Sequence, residues 1–368
     1  MDRWSLPGPA GFIAGVMDAL REGANVVVGA SLPEYAALSI ALEDRLADEW
    51  RLNGPLTVSD VPPLDELYAA LEVEDHPSSR RSVASLLANI ESKQVILVTG
   101  VRMLQWPAWQ RFLDDYANAS RALAAIERTQ LLVVTAGVPK AQLPNKAPAL
   151  NALIWDGVVG EADVFSYVIQ AWRRRGMRAD AKAKLIARII TRLALWDFDL
   201  IDRMLDLSPR DLFDPMAAVL MAAREVPTLQ ELGIPWEEGG LADFDGEQLQ
   251  HPVALARDGD AKGELAMRLW AAQASELLPA LEIHRRRLAK RMKDARLRLP
   301  VDLNGEKIHD LMDVEIGPLL HLARVHRLPT DIVRVAEKYS RLRNKLAHLC
   351  PLDADEALDP EVLTARGQ

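Results

Sequence analysis

Cysteine is nearly absent from this sequence. The only thiol in 368 residues is Cys350. One thiol cannot build a disulfide framework, and cysteine-based zinc sites are excluded with it. A reducing, cytoplasmic setting is the expectation. Long hydrophobic runs are missing too. No apolar stretch approaches the roughly 18 residues of a spanning helix, and the opening MDRWSLPGPAGF has no apolar core of signal-peptide length. No membrane partner is therefore expected. An excess of positive charge is also lacking. The formal net charge is −9, which argues against a general binder of duplex DNA. The histidines (His76, His251, His284, His309, His321, His326 and His348) fall at no zinc-motif spacing. No metal site and no cofactor are expected.

What is present is ample apolar material. Hydrophobic residues make up 49 % of the chain, enough for packed cores, and the length implies two or three domains. Charge is unevenly spread. Arg257 to Gln368 carries about +2, which leaves about −11 for the rest. An anionic partner would meet the C-terminal third.

Periodicity divides the chain. Pro9 to Glu22 has helical spacing, with Phe12, Ile13, Val16, Met17 and Leu20 on one side and Gly23 as a stop. Short apolar runs at Val26–Gly29, Gln94–Val101, Thr129–Gly137 and Ala152–Gly160 read as buried strands, separated by helical segments. Alternating strands and helices predict a mostly parallel sheet covered on both faces, over residues 1–160. Residues 161–232 read as all helical. Residues 233–263 are rich in Gly, Pro and acid and read as a linker. Residues 264–368 read as a second helical region, with helices expected at 264–293, 314–326 and 331–349. The expected fold class is α/β, then all-α.

The stretch NVVVGASLPEYAAL, Asn25 to Leu38, has the layout of a phosphate-binding loop between a strand and a helix. Gly29 holds the first glycine position. The second glycine, the lysine and the Ser/Thr that should follow are Glu34, Tyr35 and Ala36. Backbone access, the phosphate-neutralising cation and the magnesium-holding hydroxyl are lost together. A carboxylate at Glu34 repels a triphosphate. The second strand fails as well: where a magnesium-organising acid should follow VILV stand Thr99 and Gly100. Over residues 1–230 the order of elements resembles AAA+ and STAND P-loop NTPases, and within them inactive STAND-like modules of bacterial conflict systems. The resemblance implies a P-loop-NTPase-like sheet domain followed by a helical lid-like domain. ATP hydrolysis is not expected.

Near the C-terminus, YSRLRNKLAHLC places His348 five positions after Arg343, with the polar Asn344 between them. This resembles the R-x(4–6)-H motif of HEPN domains, which are all-helical modules. In HEPN ribonucleases the Arg and His cut RNA without metal. The resemblance implies Arg343 and His348 as a catalytic pair, Asn344 as their positioning residue, and single-stranded RNA as substrate. Five positions turn an α-helix by about 140°, so the two side chains cannot address one phosphate from one face. Either the helix unwinds before His348, or two motifs meet across a dimer. The resemblance implies a homodimer or larger complex, with further protein partners from a defence operon.

Upstream, HRRRLAKRMKDARLR spans His284 to Arg298. Arg285, Arg286, Arg287, Lys290, Arg291 and Lys293 could track an RNA backbone, without base preference because aromatics are missing. The same run also reads as a solvated helix face around Leu288 and Met292. His321 and Glu315 either approach a site or flank a core helix with Ile316 and Leu319 inward. Trp106 and Trp109 read as packing residues. Two functions follow: a defence effector with a HEPN-type RNA endonuclease, or a non-catalytic scaffold whose surfaces serve protein contacts.

Overall fold

The apolar runs pair into one five-stranded parallel sheet. In this computed structural model, which describes residues 2–73, 81–178, 180–260, 262–295, 297–303 and 305–364, the strands are β1 (Asn25–Ala30), β2 (Arg51–Thr57), β3 (Gln94–Val101), β4 (Gln130–Ala136) and β5 (Leu150–Ile154). Their order is β2-β3-β4-β1-β5, with every pairing parallel. His76 and Arg296 lie outside the described residues. The central strands β1 and β4 are buried along their whole length, as their β-branched runs require for a sheet covered on both faces. β2 was not expected from its sequence, RLNGPLT. It is an edge strand with a register shift between Asn53 and Leu56, two settings in which a sheet tolerates Pro55.

Helices α1 (Pro7–Arg21), α2 (Tyr35–Ala47), α3 (Pro63–Ala70), α4 (Val83–Asn89) and α5 (Trp106–Ser120) accompany the sheet. α5 supplies the largest core side chains. Trp106 and Trp109 are each 1 % exposed, and Phe112 meets Trp109 edge to face at 5.8 Å. They cluster with Ile96, Val98, Leu131 and Val133 of the sheet. Burying each such aliphatic contributes roughly 1.5–3 kcal/mol. The two tryptophans are packing residues.

Residues 233–263 do not run as a plain linker. They hold a 3-10 turn (Trp236–Glu238), a hairpin of β6 (Leu241–Phe244) and β7 (Glu247–Gln250), and α10 (Pro252–Arg257). The glycines and acids are turn and cap chemistry instead. Gly239 and Gly246 have φ of +84° and +86°. Asp260 accepts the N–H groups of Glu264 and Leu265, at 2.7 and 3.0 Å, at the start of the next helix.

The chain forms two compact units. The first is Met1–Asp163 with Pro227–Ala254, and the second is Val164–Val226 with Leu255–Gln368. The second unit therefore merges the two helical regions that sequence separated. It contains most of α6 (Glu161–Arg174), then α7 (Ala181–Ala194), α8 (Phe198–Met204), α9 (Pro215–Ala223), the 31-residue α11 (Glu264–Asp294), a small hairpin of β8 (Val301–Leu303) and β9 (Glu306–Ile308), α12 (Ile316–Val325), α13 (Thr330–Ala347), α14 (Ala354–Ala357) and α15 (Pro360–Leu363). α7 and α13 both pack on α11. The reason is the apolar face of α7: Ile186, Ile189, Ile190 and Leu193 are all fully buried. Among the described residues no helix is long and apolar enough to cross a membrane.

Candidate functional site

The stretch from Gly29 to Ala36, whose sequence has the layout of a phosphate-binding loop, is closed by its own chain. Gly29 still belongs to β1, opposite Thr135 and Ile154. Ser31 to Glu34 then lead into α2. In a working loop these amides would face phosphates. Here Leu32 N–H donates to the Glu237 carbonyl at 2.9 Å, and Glu34 and Tyr35 N–H groups both turn back to the Ser31 carbonyl at 3.2 and 3.1 Å. Pro33 has no N–H to give. Leu32 packs over Gly137, where an added Cβ would lie 2.7 Å from Leu32 Cγ. Lys140 pairs with Asp156 and sits 4.8 Å from the centre of the Trp236 ring, so this cation is committed elsewhere. Tyr35 and Ala36 do come together with Thr99 and Gly100. All four line one cleft of about 470 Å³ at the C-terminal ends of β2 and β3. The positions that should carry lysine, Ser/Thr hydroxyl and acid in a phosphate-binding loop are thus neighbours in space, and none carries the group its place requires.

In the second unit, α13 carries Arg343 and Asn344 and ends at Ala347. His348 is its C-cap. Its N–H donates to the carbonyls of Asn344 (3.0 Å) and Lys345 (3.1 Å). Leu349 follows at φ +60°, and Cys350 N–H returns to the Lys345 carbonyl at 3.0 Å. This is a Schellman close. Two side chains of α11 clamp it. Trp270 Nε1–H donates to the Leu346 carbonyl at 2.7 Å. Gln273, fully buried, donates to the Leu352 carbonyl (2.9 Å) and accepts Leu352 N–H (2.6 Å). His348 therefore stands exposed on a turn held from both sides. The helix does not unwind before His348; it stops at that residue.

Arg343 points elsewhere. It lines a cleft of about 300 Å³ with Tyr339, Arg285, Asp313 and Glu315, and its Nη2 lies 3.4 Å from Glu315 Oε2. His348 is not among the residues of that cleft. Burial raises the pKa of the Tyr339 phenol above its ordinary value. Asn344 is exposed, one turn before His348. Arg341 was missed from sequence. It is also exposed, and seven helical positions bring it back within about 20° of His348. Its Nε is 3.7 Å from Glu356. The signal was available, because an R-x(4–6)-H spacing admits Arg341 as well as Arg343.

The basic run is divided by its helix. Leu288 and Met292 are buried. Arg285 is spent on the fold. It donates to both Glu282 oxygens, at 2.6 and 2.8 Å, and to the carbonyls of Met312 and Val314, at 2.8 and 2.7 Å. Glu282 is held below its usual carboxylate pKa, first by its bond with Arg285. Arg286 leans on Glu282 at 3.4 Å, and Arg291 pairs with Asp331 at 2.6 Å. Lys290 and Lys293 are exposed. Arg287 is half-buried. Glu315 reaches the Arg343 cleft, whereas His321 is exposed. Among the described residues no group of three or more His, Cys, Asp or Glu side chains could hold a metal ion. No protein-family model matches this chain, and no curated protein sequence matches it.

Proposed function

We propose that this chain is a component of a bacterial conflict or antiphage defence system. In this reading the first unit is a STAND-like regulatory module that works without nucleotide. The second is a HEPN-like unit that cleaves single-stranded RNA without metal. The observation that carries the reading is the clamped, exposed end of α13, where His348 follows Arg341 and Asn344 on one solvent-facing stripe. RNA brings its own nucleophile, the 2′-hydroxyl. An imidazole takes or returns that proton, and a guanidinium steadies the charge that builds on phosphorus. The all-parallel five-stranded sheet, with helices alternating along the chain, supports the first half of the reading, since the resemblance implies a domain of that kind. The filled amides of the loop at Ser31–Tyr35 support nucleotide independence.

A second reading, a non-catalytic scaffold, draws on the pairing of Arg343 with Glu315 in a cleft apart from His348. One assay separates the two. Full-length protein is incubated with single-stranded RNA in excess chelator. The nuclease reading expects cleavage that is lost in His348→Ala. Cleavage unchanged in that variant rejects the assignment. An inert wild type whose Arg343→Ala and His348→Ala variants keep function in vivo establishes the scaffold.

A further inference from the structure

The cleft beside the emptied phosphate loop has a polar complement of its own. Two charged residues line it, Glu43 on the α2 wall and Arg102 in the turn before α5. Neither side chain makes a hydrogen bond or ion pair among the described residues. Their charges cancel, which disfavours a polyphosphate and suits a ligand carrying both signs. Gln105 lines the same cleft. Its Nε2 donates to Asp60 at 3.1 Å, while its Oε1 is buried with no partner. A buried acceptor without a donor is costly and rare, so this end of the cleft holds polar ground that the fold leaves unmatched.

The backbone is irregular at this spot and nowhere else along the β2–β3 and β3–β4 ladders. The pairing shifts register between Asn53 and Leu56 on β2, and between Thr99 and Val101 on β3 around Gly100, which has φ +79°. Bulges of this kind re-aim strand ends and collect beside binding sites. The Tyr35 ring fills the space over Gly100, where an added Cβ would be 3.7 Å from Tyr35 Cε2. The lining also has apolar members, Ile40, Pro55 and Val58, and Ile40 is 59 % exposed. A volume of about 470 Å³ lies in the range of small-molecule sites.

We infer that this cleft binds a short aliphatic peptide with free ends. Its terminal carboxylate meets Arg102, its ammonium meets Glu43, and an aliphatic side chain covers Ile40. The site uses no residue of the α13 motif, so it stands whether or not RNA is cut.

Isothermal titration calorimetry on the full chain tests this, with leucyl-leucine, trileucine, N-acetyl-leucyl-leucine amide and Mg-ATP as probes. The expected result is saturable binding of at least one free peptide. The doubly capped peptide and each of Arg102→Ala and Glu43→Gln should bind roughly tenfold more weakly or worse. His348→Ala should bind like wild type. Arg102 is exposed and Glu43 half-buried, and unchanged thermal melts will show that the variants fold. Absence of saturable binding by both free peptides overturns the inference. So does equal affinity for the capped peptide, or displacement of the peptide by Mg-ATP.

Discussion

Replacing Leu349 by glycine should stabilise the helical unit. Leu349 sits one residue past the cap of α13 with φ +60°. That position is the one glycine fills in most Schellman closes. A left-handed conformation costs an L-residue roughly 1–2 kcal/mol. Glycine removes that strain but gives back roughly 0.5–1 kcal/mol through its looser unfolded chain. The leucine side chain offsets little, because Leu349 is 51 % exposed. The balance is a gain of about 0.5–1 kcal/mol. For a unit of this size that raises the melting temperature by about 1–4 °C. Circular dichroism melts of wild type, Leu349→Gly and Leu349→Ala provide the assay. Alanine keeps the strain and loses the side chain, so it should gain nothing. A glycine variant that melts below wild type refutes the reasoning, because it would mean that the leucine side chain holds the turn. Strain placed beside His348 is also what a site held in one geometry would carry.

One substitution in the sheet unit and one titration in the helical unit test the packing elsewhere. Gly137→Ala should destabilise the sheet unit by about 2–4 kcal/mol, from a positive φ and a Cβ pressed against Leu32 and the Glu237 carbonyl; a urea midpoint equal to wild type would mean that the loop is not packed as described. His284 should make the helical unit less stable in mild acid. Burial, first of all, lowers its pKa, and the charges of Arg287 and Lys338 act in the same direction, against the Val362 carbonyl and Glu361. Its Nε2 meets the Val362 carbonyl at 3.1 Å and its ring stacks on Tyr339 at 4.6 Å. The unfolded chain therefore takes up the proton first. Stability is full above the ordinary histidine pKa of about 6.5 and declines below it, until the folded pKa is passed. Melts at pH 7.5 and 5.5 should show a loss that His284→Phe removes. An equal loss in that variant would assign the effect to other groups.

The parts of the fold legible in sequence were those where one physical demand dominates. β1, β3 and β4 are buried on both faces, so their composition is continuous and β-branched, and each was read close to its true bounds. β2 was invisible because an edge strand tolerates the Gly54 and Pro55 that elsewhere end one. The fourth strand lies earlier than the apolar run Ala152–Gly160 predicts, since the apolar residues after Ile154 belong to the turn into α6. Residues 233–263 looked like a linker because tight turns and helix caps use the same Gly, Pro and Asp as a flexible tether.

At the candidate sites, residue types could be read and directions could not. The losses at Glu34, Tyr35 and Ala36 were plain. That Glu237, some two hundred residues on, caps Leu32 depends on the tertiary fold. The HEPN-like spacing was plain too. The turn of Arg343 toward Glu315, and the capture of Arg285 by the carbonyls of Met312 and Val314, follow from chain segments packed against α11 and α13 that no local pattern encodes.

The ends left on a cut RNA report directly on the proposed chemistry. Attack by the 2′-hydroxyl breaks the bond from phosphorus to the 5′-oxygen, so each cut leaves a 2′,3′-cyclic phosphate on one fragment and a 5′-hydroxyl on the other. End-group analysis of single-stranded RNA incubated with the full chain in chelator should find those ends, and none after His348→Ala. Fragments with 5′-phosphate ends, or cyclic-phosphate products that persist in the His348 variant, would contradict it.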